Sequence, residues 1–266
     1  EFPNQKDRIL VEQPTYHRIN DLLLAQKLPY ETIERTPQGI NLQELERIFQ
    51  SGKIKFFYTI PRFHYPLGHS YSRQEKEEIL RLSQRYNVYI VEDDYLSDFD
   101  SRRELTFHSL DLSQRVIYIK SFSTSLFPAL RITALLLPPQ IQTTFIAYKS
   151  AVDYDSNLIM QKALSLYIDS LMFEKNRLAL LQLQEEEARK AQILLEQAQL
   201  PLSSYLTKDG ILLDLRSLSS VSALKHSSLP LDFFEQSYLA SCPYQYAKLP
   251  YDNLEENVEK LKDYLK

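Results

Sequence analysis

Along the chain, short continuous apolar runs alternate with stretches in which apolar residues recur every three or four positions. ILVEQ (9–13), YETIER (30–35), IKFFYTI (54–60), NVYIVED (87–93), RVIYIKS (115–121) and RITALLLP (131–138) read as strands. Helical patterns occupy 16–27 and 41–50, the second with Leu42, Leu45, Ile48 and Phe49 on one face. A third begins at Ser72, with Glu75 at capping-box spacing and Ile79, Leu80 and Leu82 on its apolar side. Continuous rather than alternating hydrophobicity suits strands covered on both faces. Strand–helix alternation of this kind predicts an α/β fold built on a mostly parallel, doubly wound sheet of about six strands. Ligands of such sheets sit at the carboxyl ends of the strands, here 13–16, 60–65, 92–95 and 120–124.

After Pro139 the pattern changes. Residues 142–152 and 156–171 read as helices, and 173–200, free of Gly and Pro, as one long connecting helix. GILLDL (210–215) reads as a strand, with helices expected near 231–241 and over 253–265. Three regions follow: a large α/β domain over 1–150, interdomain helices over 151–200, and a small α+β domain over 201–266. The charge run QEEEARK (184–190) is a solvated helix face.

Composition narrows the function. With 266 residues, 44% hydrophobic and 25% charged, the chain has the profile of a soluble globular protein. A net charge of −4 supplies no basic face for nucleic acid. No apolar run approaches the ~20 residues that cross a bilayer. The first residues, EFPNQKDRILVEQP, lack the basic and apolar regions of a signal peptide, so a reducing cytoplasm is the expected location. A single cysteine, Cys242, excludes an internal disulfide and a multi-thiolate metal site. Only 4 glycines occur, and neither GxGxxG nor GxxxxGK is present.

Four motifs then follow in order: VEQPTY (11–16), TIPRFHYPLGHSYSRQE (59–75), YIVEDDYLSDF (89–99) and YIKSFSTSLFPALRI (118–132). Together they closely resemble the aminotransferase-like domain of MocR-type regulators, a branch of the GntR transcription factors. Such regulators join a winged-helix DNA-binding domain to a fold-type-I pyridoxal-phosphate (PLP) aminotransferase domain. The resemblance runs from about Arg8 to the C-terminus. EDDY with SDF, and SFS-x-SLFPALRI, are its most specific parts; the C-terminal region is its weakest.

A PLP site needs an acid beside the pyridine nitrogen, an aromatic ring against the cofactor, phosphate-binding hydroxyls and guanidinium, and a lysine for the Schiff base. Carried over residue by residue, the resemblance implies Asp93 at the pyridinium and Tyr95 at the ring hydroxyl. It implies Ser121, Ser123 and Arg131 at the phosphate, Tyr16 stacked on the ring, and Arg18 at a substrate or effector carboxylate. It also implies an antiparallel RITALLLP strand at the sheet edge. A winged helix, a linker, a first strand and a Gly-rich turn are expected upstream of residues like these, so the chain reads as a C-terminal piece.

Two departures change the expected chemistry. Thr124 stands where the Schiff-base lysine belongs, and it has no amine. Lys120, four residues earlier on a buried strand, is a poor substitute. The second substrate-gripping arginine is absent too: CPYQYAKL (242–249) places Pro243 at its position, and no arginine follows Arg216. The resulting expectation is a non-catalytic effector-binding and dimerisation domain with no catalytic residue and no covalently bound cofactor. Its partners would be a small-molecule effector and a second copy, with DNA reached only through a winged helix. Two alternatives stay open: a PLP-dependent enzyme or regulator holding PLP non-covalently, and a purely structural dimerisation module.

Other constellations are weaker. His64 and His69 are too few for a metal site and suit loop hydrogen bonds. Ser121, Ser123 and Ser125 lack a His/Asp partnership for a hydrolase triad. Asp93 and Asp94, adjacent on a strand, point to opposite faces and cannot share one site.

Overall fold

The computed structural model describes residues 6–126, 130–153 and 156–265; part of the SLFPALRI motif, residues 127–129, lies outside them. The larger part comprises β1 (Arg8–Gln13), α1 (His17–Ala25), β2 (Tyr30–Thr36), β3 (Gly39–Ile40), α2 (Leu42–Gln50), β4 (Ile54–Thr59) and α3 (Arg73–Arg85). It continues with β5 (Tyr89–Asp93), α4 (Phe107–Leu110), β6 (Val116–Ser121) and β7 (Thr133–Leu136). The sheet order is β3-β2-β1-β4-β5-β6-β7. β1, β2, β4, β5 and β6 run parallel, while β3 and β7 are antiparallel at the two edges.

All six expected strands form, and RITALLLP supplies the antiparallel edge strand β7. The sheet nevertheless has seven strands rather than six. The addition is β3, which folds back on β2 through Gly39 at φ +107, a conformation open to glycine at no steric cost. Two residues are too few to show a period, so hydrophobic patterning passes over them. The capping box at Ser72 is formed: its Oγ accepts the Glu75 N–H, and the Glu75 carboxylate accepts the Ser72 N–H at 2.8 Å.

Register assigns the two faces, because cross-strand partners point the same way. Leu10, Phe57, Ile90 and Val116 are paired across the sheet and meet α2, α3 and α4 in the main core. Val11 and Tyr58 point the other way, where Leu23 of α1 covers them. Asp93, paired with Ile119, lies on this second face.

Three helices follow: α5 (Pro139–Val152), α6 (Leu158–Asp169) and α7 (Met172–Ala198). None of the described α5 side chains is fully buried, and in α6 only Leu164 is. α7 leads to a second, antiparallel sheet of β8 (Ser204–Leu206), β9 (Gly210–Asp214) and β10 (Tyr246–Pro250), in the order β10-β9-β8. α8 (Ser222–Lys225) lies between β9 and β10, and α9 (Leu254–Leu265) ends the chain. Alternation along β9 divides its environment: Ile211 and Leu213 pack with Ala191 of α7 and Val258 and Leu261 of α9. Leu212 packs instead with Leu67, from the segment between β4 and α3.

The helix expected near 231–241 does not form; a single 3-10 turn, Glu235–Ser237, stands there. The backbone groups of this stretch are engaged elsewhere. Asp232 exchanges two hydrogen bonds with Lys248 on β10, at 2.8 and 3.0 Å. Ser237 O accepts the Thr15 N–H at 2.9 Å, and the Leu239 N–H donates to Gln13 Oε1 at 2.7 Å. The stretch joins the small sheet to the carboxyl end of β1, which outweighs its local helical pattern.

Candidate functional site

The carboxyl ends of β1, β4, β5 and β6 converge, as parallel order requires, and bring Tyr16, Tyr58, Asp93 and Ser121 to one edge of the sheet. Tyr58 and Asp93 share a face, and Tyr58 Oη donates to Asp93 Oδ2 at 2.6 Å. Among the described residues no lysine or arginine pairs with Asp93. Burial pushes its carboxyl up to about 6, Asp94 adding to the rise and the Tyr58 bond opposing it. A half-buried carboxyl without a cation, its second oxygen still able to accept, suits a ligand's N–H or cationic nitrogen.

Tyr16 is the N-cap of α1 and half-exposed, with its ring edge-on to Tyr65 at 6.2 Å between centroids. Tyr65 in turn meets Phe234 edge-on at 6.4 Å. Beside them lies a cavity of about 440 Å³, lined by His17, Tyr65, Asp232, Phe233 and Glu235. This volume falls within the range of small-molecule sites. α1 opens with His17 and Arg18 and has no acidic residue in its first turn, so its N-terminus keeps its positive character. Arg18 is exposed and stands 3.5 Å from Asp21, its own helix neighbour.

The remaining residues singled out by sequence are placed less tightly. Ser121 and Ser123 are half-buried, and the Ser123 N–H donates to Ser121 Oγ at 3.2 Å. Thr124 is exposed. Arg131 is exposed as well, at φ +52 in the turn into β7. The Tyr95 hydroxyl donates to the Phe63 carbonyl at 3.2 Å, and burial holds its pKa well above the usual phenol range.

The opposite face of the same strand ends carries a belt of buried charge that pattern reading did not find. Glu12 and Arg35, both fully buried, pair at 2.9 Å; Tyr71 Oη donates to Glu12 Oε1 at 2.5 Å; His64 Nε2 stands 3.4 Å from Oε2. Arg62 bridges Asp94, at 2.8 Å, and Asp100. Tyr118 Oη also donates to Asp94, at 2.8 Å. Lys120 shares the Tyr118 face, and its ammonium is bonded to Asp98 and to Ser97 Oγ at 3.1 Å. Asp93 and Asp94 thus serve opposite sides of the sheet, and Lys120 lies on the side away from Asp93. A second cavity, of about 300 Å³, opens on the Asp94 side among Arg62, Asp98, Asp100 and Arg177. Among the described residues no cluster of His, Cys, Asp and Glu could hold a metal ion.

A model of the aminotransferase class I and II family matches residues 2–200. The chain belongs to that family. Its fold is shared with solved aminotransferases: kynurenine aminotransferase of Pyrococcus horikoshii superposes with a TM-score of 0.84 at 23% identity, over 99% of this chain and 70% of that one. The multiple substrate aminotransferase of Thermococcus profundus gives 0.84 at 21% identity, with the same coverage. At such identity the likeness is one of fold alone.

Several sequence relatives of this aminotransferase-family chain are named as regulators. An uncharacterised HTH-type transcriptional regulator, YcxD of Bacillus subtilis, is 45% identical over 177 residues, 66% of this chain and 40% of that protein. The probable rhizopine catabolism regulatory protein MocR of Rhizobium meliloti is 30% identical over 174 residues, 64% and 34% respectively. NorG of Staphylococcus aureus (strain USA300), also an HTH-type regulator, is 28% identical over 179 residues, 66% and 40%. The matched stretch spans 40% or less of each of these proteins. No helix among the described residues is long and apolar enough to cross a membrane.

Proposed function

We propose that this chain is the effector-sensing part of a MocR/GntR-type transcription regulator, retaining the aminotransferase pocket without its covalent chemistry. One observation carries this: Thr124 follows β6 where the Schiff-base lysine belongs, and the nearest amine in sequence, Lys120, is bonded to Asp98 on the other face. A hydroxyl cannot condense with an aldehyde, and an ion-paired lysine across the sheet cannot replace it.

The pocket fits PLP at its ring end and not at its covalent end. When bound, PLP supplies a ring that withdraws electrons from an attached amine. Asp93 would meet the ring nitrogen, Tyr16 the ring face, and Ser121 and Ser123 the phosphate, while Arg131 is exposed. This favours a small effector held non-covalently, its anionic end at Arg18 and the start of α1. DNA contact would fall to a helix-turn-helix part outside these residues, in the cytoplasm, since the net charge of −4 offers no basic face.

Calorimetric titration with PLP, pyridoxamine phosphate and amino acids tests the proposal, alongside absorbance before and after borohydride. The expected result is saturable heat with at least one of these and no label fixed to the protein. A borohydride-fixed lysine, or turnover of an amine donor, would return the chain to the enzymes. Absence of heat with every probe would leave a structural module.

A homodimer belongs to the same proposal. α6 (LIMQKALSLYID) is apolar nearly all round, yet Ile159 is 79% exposed and Leu166 56%. Helices of that composition are normally enclosed. Sedimentation equilibrium at micromolar concentration should give twice the 31.3 kDa chain mass; a monomer throughout would refute the dimer.

A further inference from the structure

Phe63 stands at φ +48, in the left-handed region that a bulky residue occupies only when its surroundings impose it. Three parts of the molecule hold it there. From the face of the sheet that carries Tyr58 and Asp93, Tyr95 Oη donates to its carbonyl at 3.2 Å. From the hairpin of the small sheet, Lys208 Nζ lies 4.4 Å from its ring centroid. The ring also packs in a cluster with Leu96, Phe99 and Leu181 of α7. A turn that needed only this backbone conformation would be served by glycine, as at Gly68, φ +75. A phenylalanine ties the conformation to what its ring touches.

Phe63 belongs to a closed strap over 61–71. The Tyr71 N–H donates to Pro61 O at 2.8 Å, the His64 N–H to His69 O at 2.9 Å, and the Phe63 N–H to Ser70 Oγ at 2.9 Å. One end of the strap is anchored by Arg62 to Asp94 and Asp100. The other side delivers Leu67 into the small-sheet cluster of Leu212, Phe234 and Tyr246. Gly68 passes so close to Thr207 that a Cβ there would lie 2.6 Å from the threonine methyl. Three consecutive residues therefore divide the work at the end of β5: Asp93 faces the pocket, while Asp94 and Tyr95 hold the strap.

We propose that Phe63 is a strained latch between pocket and small domain. A ligand offering an anionic oxygen to Tyr95 draws its hydroxyl from the Phe63 carbonyl, releases Phe63 from the left-handed conformation and loosens the strap's hold on the small sheet. The latch deepens the sensing function proposed above by giving it a route. Its test needs no ligand, so latch and sensing can fail separately.

The test is amide hydrogen exchange in Tyr95→Phe, which keeps the ring and removes the donor. The His64, Gly68 and Tyr71 amides should exchange about fivefold faster, the worth of one neutral hydrogen bond. Ile211, Leu212 and Leu213 should accelerate with them, while Leu10 and Ile90 stay unchanged. In a Phe63→Gly background the carbonyl remains but the strain and the ring under Lys208 are gone, so adding Tyr95→Phe should still accelerate the strap amides while leaving Ile211, Leu212 and Leu213 unchanged. In the single variant, acceleration confined to 61–71 or none at all, or in the double variant a further acceleration at Ile211–Leu213, would each overturn the latch.

Discussion

Glu12→Leu is expected to lower unfolding free energy by about 3–5 kcal/mol, because it strands Arg35 as an uncompensated buried charge. Both side chains are fully buried and 2.9 Å apart, and the Glu12 carboxylate also accepts from Tyr71 and from the Ile60 N–H at 3.3 Å. The double variant Glu12→Leu/Arg35→Leu should recover much of the loss, since a buried pair replaced by apolar side chains is often near neutral. Urea unfolding followed by circular dichroism measures both; a single variant that costs as little as the double would show the pair to be dispensable. The pH dependence has a definite sign. Burial raises the Glu12 carboxyl, but the neighbouring Arg35, with His64 and Thr59 close by, outweighs it and holds the pKa below the usual 4.5. The stabilisation is therefore present above pH 4.5 and lost as pH falls through the lowered folded value.

Asp93→Asn should act in the opposite direction, stabilising the free protein. Its folded pKa of about 6 lies above the ordinary 3.8. Stability linked to this group is thus complete below pH 3.8 and declines as pH rises to about 6. The full gap corresponds to roughly 3 kcal/mol, and half-burial reduces that to about 1–2 kcal/mol at pH 8. Asparagine keeps an acceptor for Tyr58 Oη and has no charge to desolvate. Melting curves should place the variant above the parent at pH 8 and level with it at pH 3; equal stability at both would show that the carboxylate is not strained. Glu92, pushed up to about 7 by burial against two backbone N–H bonds, adds a second decline between pH 4.5 and 7 that the substitution leaves intact. A carboxylate that the free fold would sooner lose is characteristic of a ligand site.

The two acids differ in how legible they were. Asp93 and its opposition to Asp94 followed from the two-residue period of a strand together with the EDDY motif. Glu12 stood in plain view within ILVEQ yet carried no local sign of its partners, because Arg35, His64 and Tyr71 come from separate segments. Tyr58 was likewise hidden inside an apolar run; its position on the Asp93 face of β4 was the only available cue. The 231–241 segment misled for the opposite reason: its local pattern favoured helix, and bonds to β1 and β10 overrode it.

The chain's own order of residues determined the six main strands, the capping box at Ser72 and the absence of an amine at position 124. Each of these is a property of neighbours a few residues apart, where hydrophobic period and side-chain chemistry act directly. Tertiary structure decided that Lys120 is bound to Asp98 away from the pocket, that Glu12 meets Arg35, and that Phe63 is gripped from three sides. Those pairings depend on strand register and on loops that close over long sequence separations, and burial then fixes which charges must find each other.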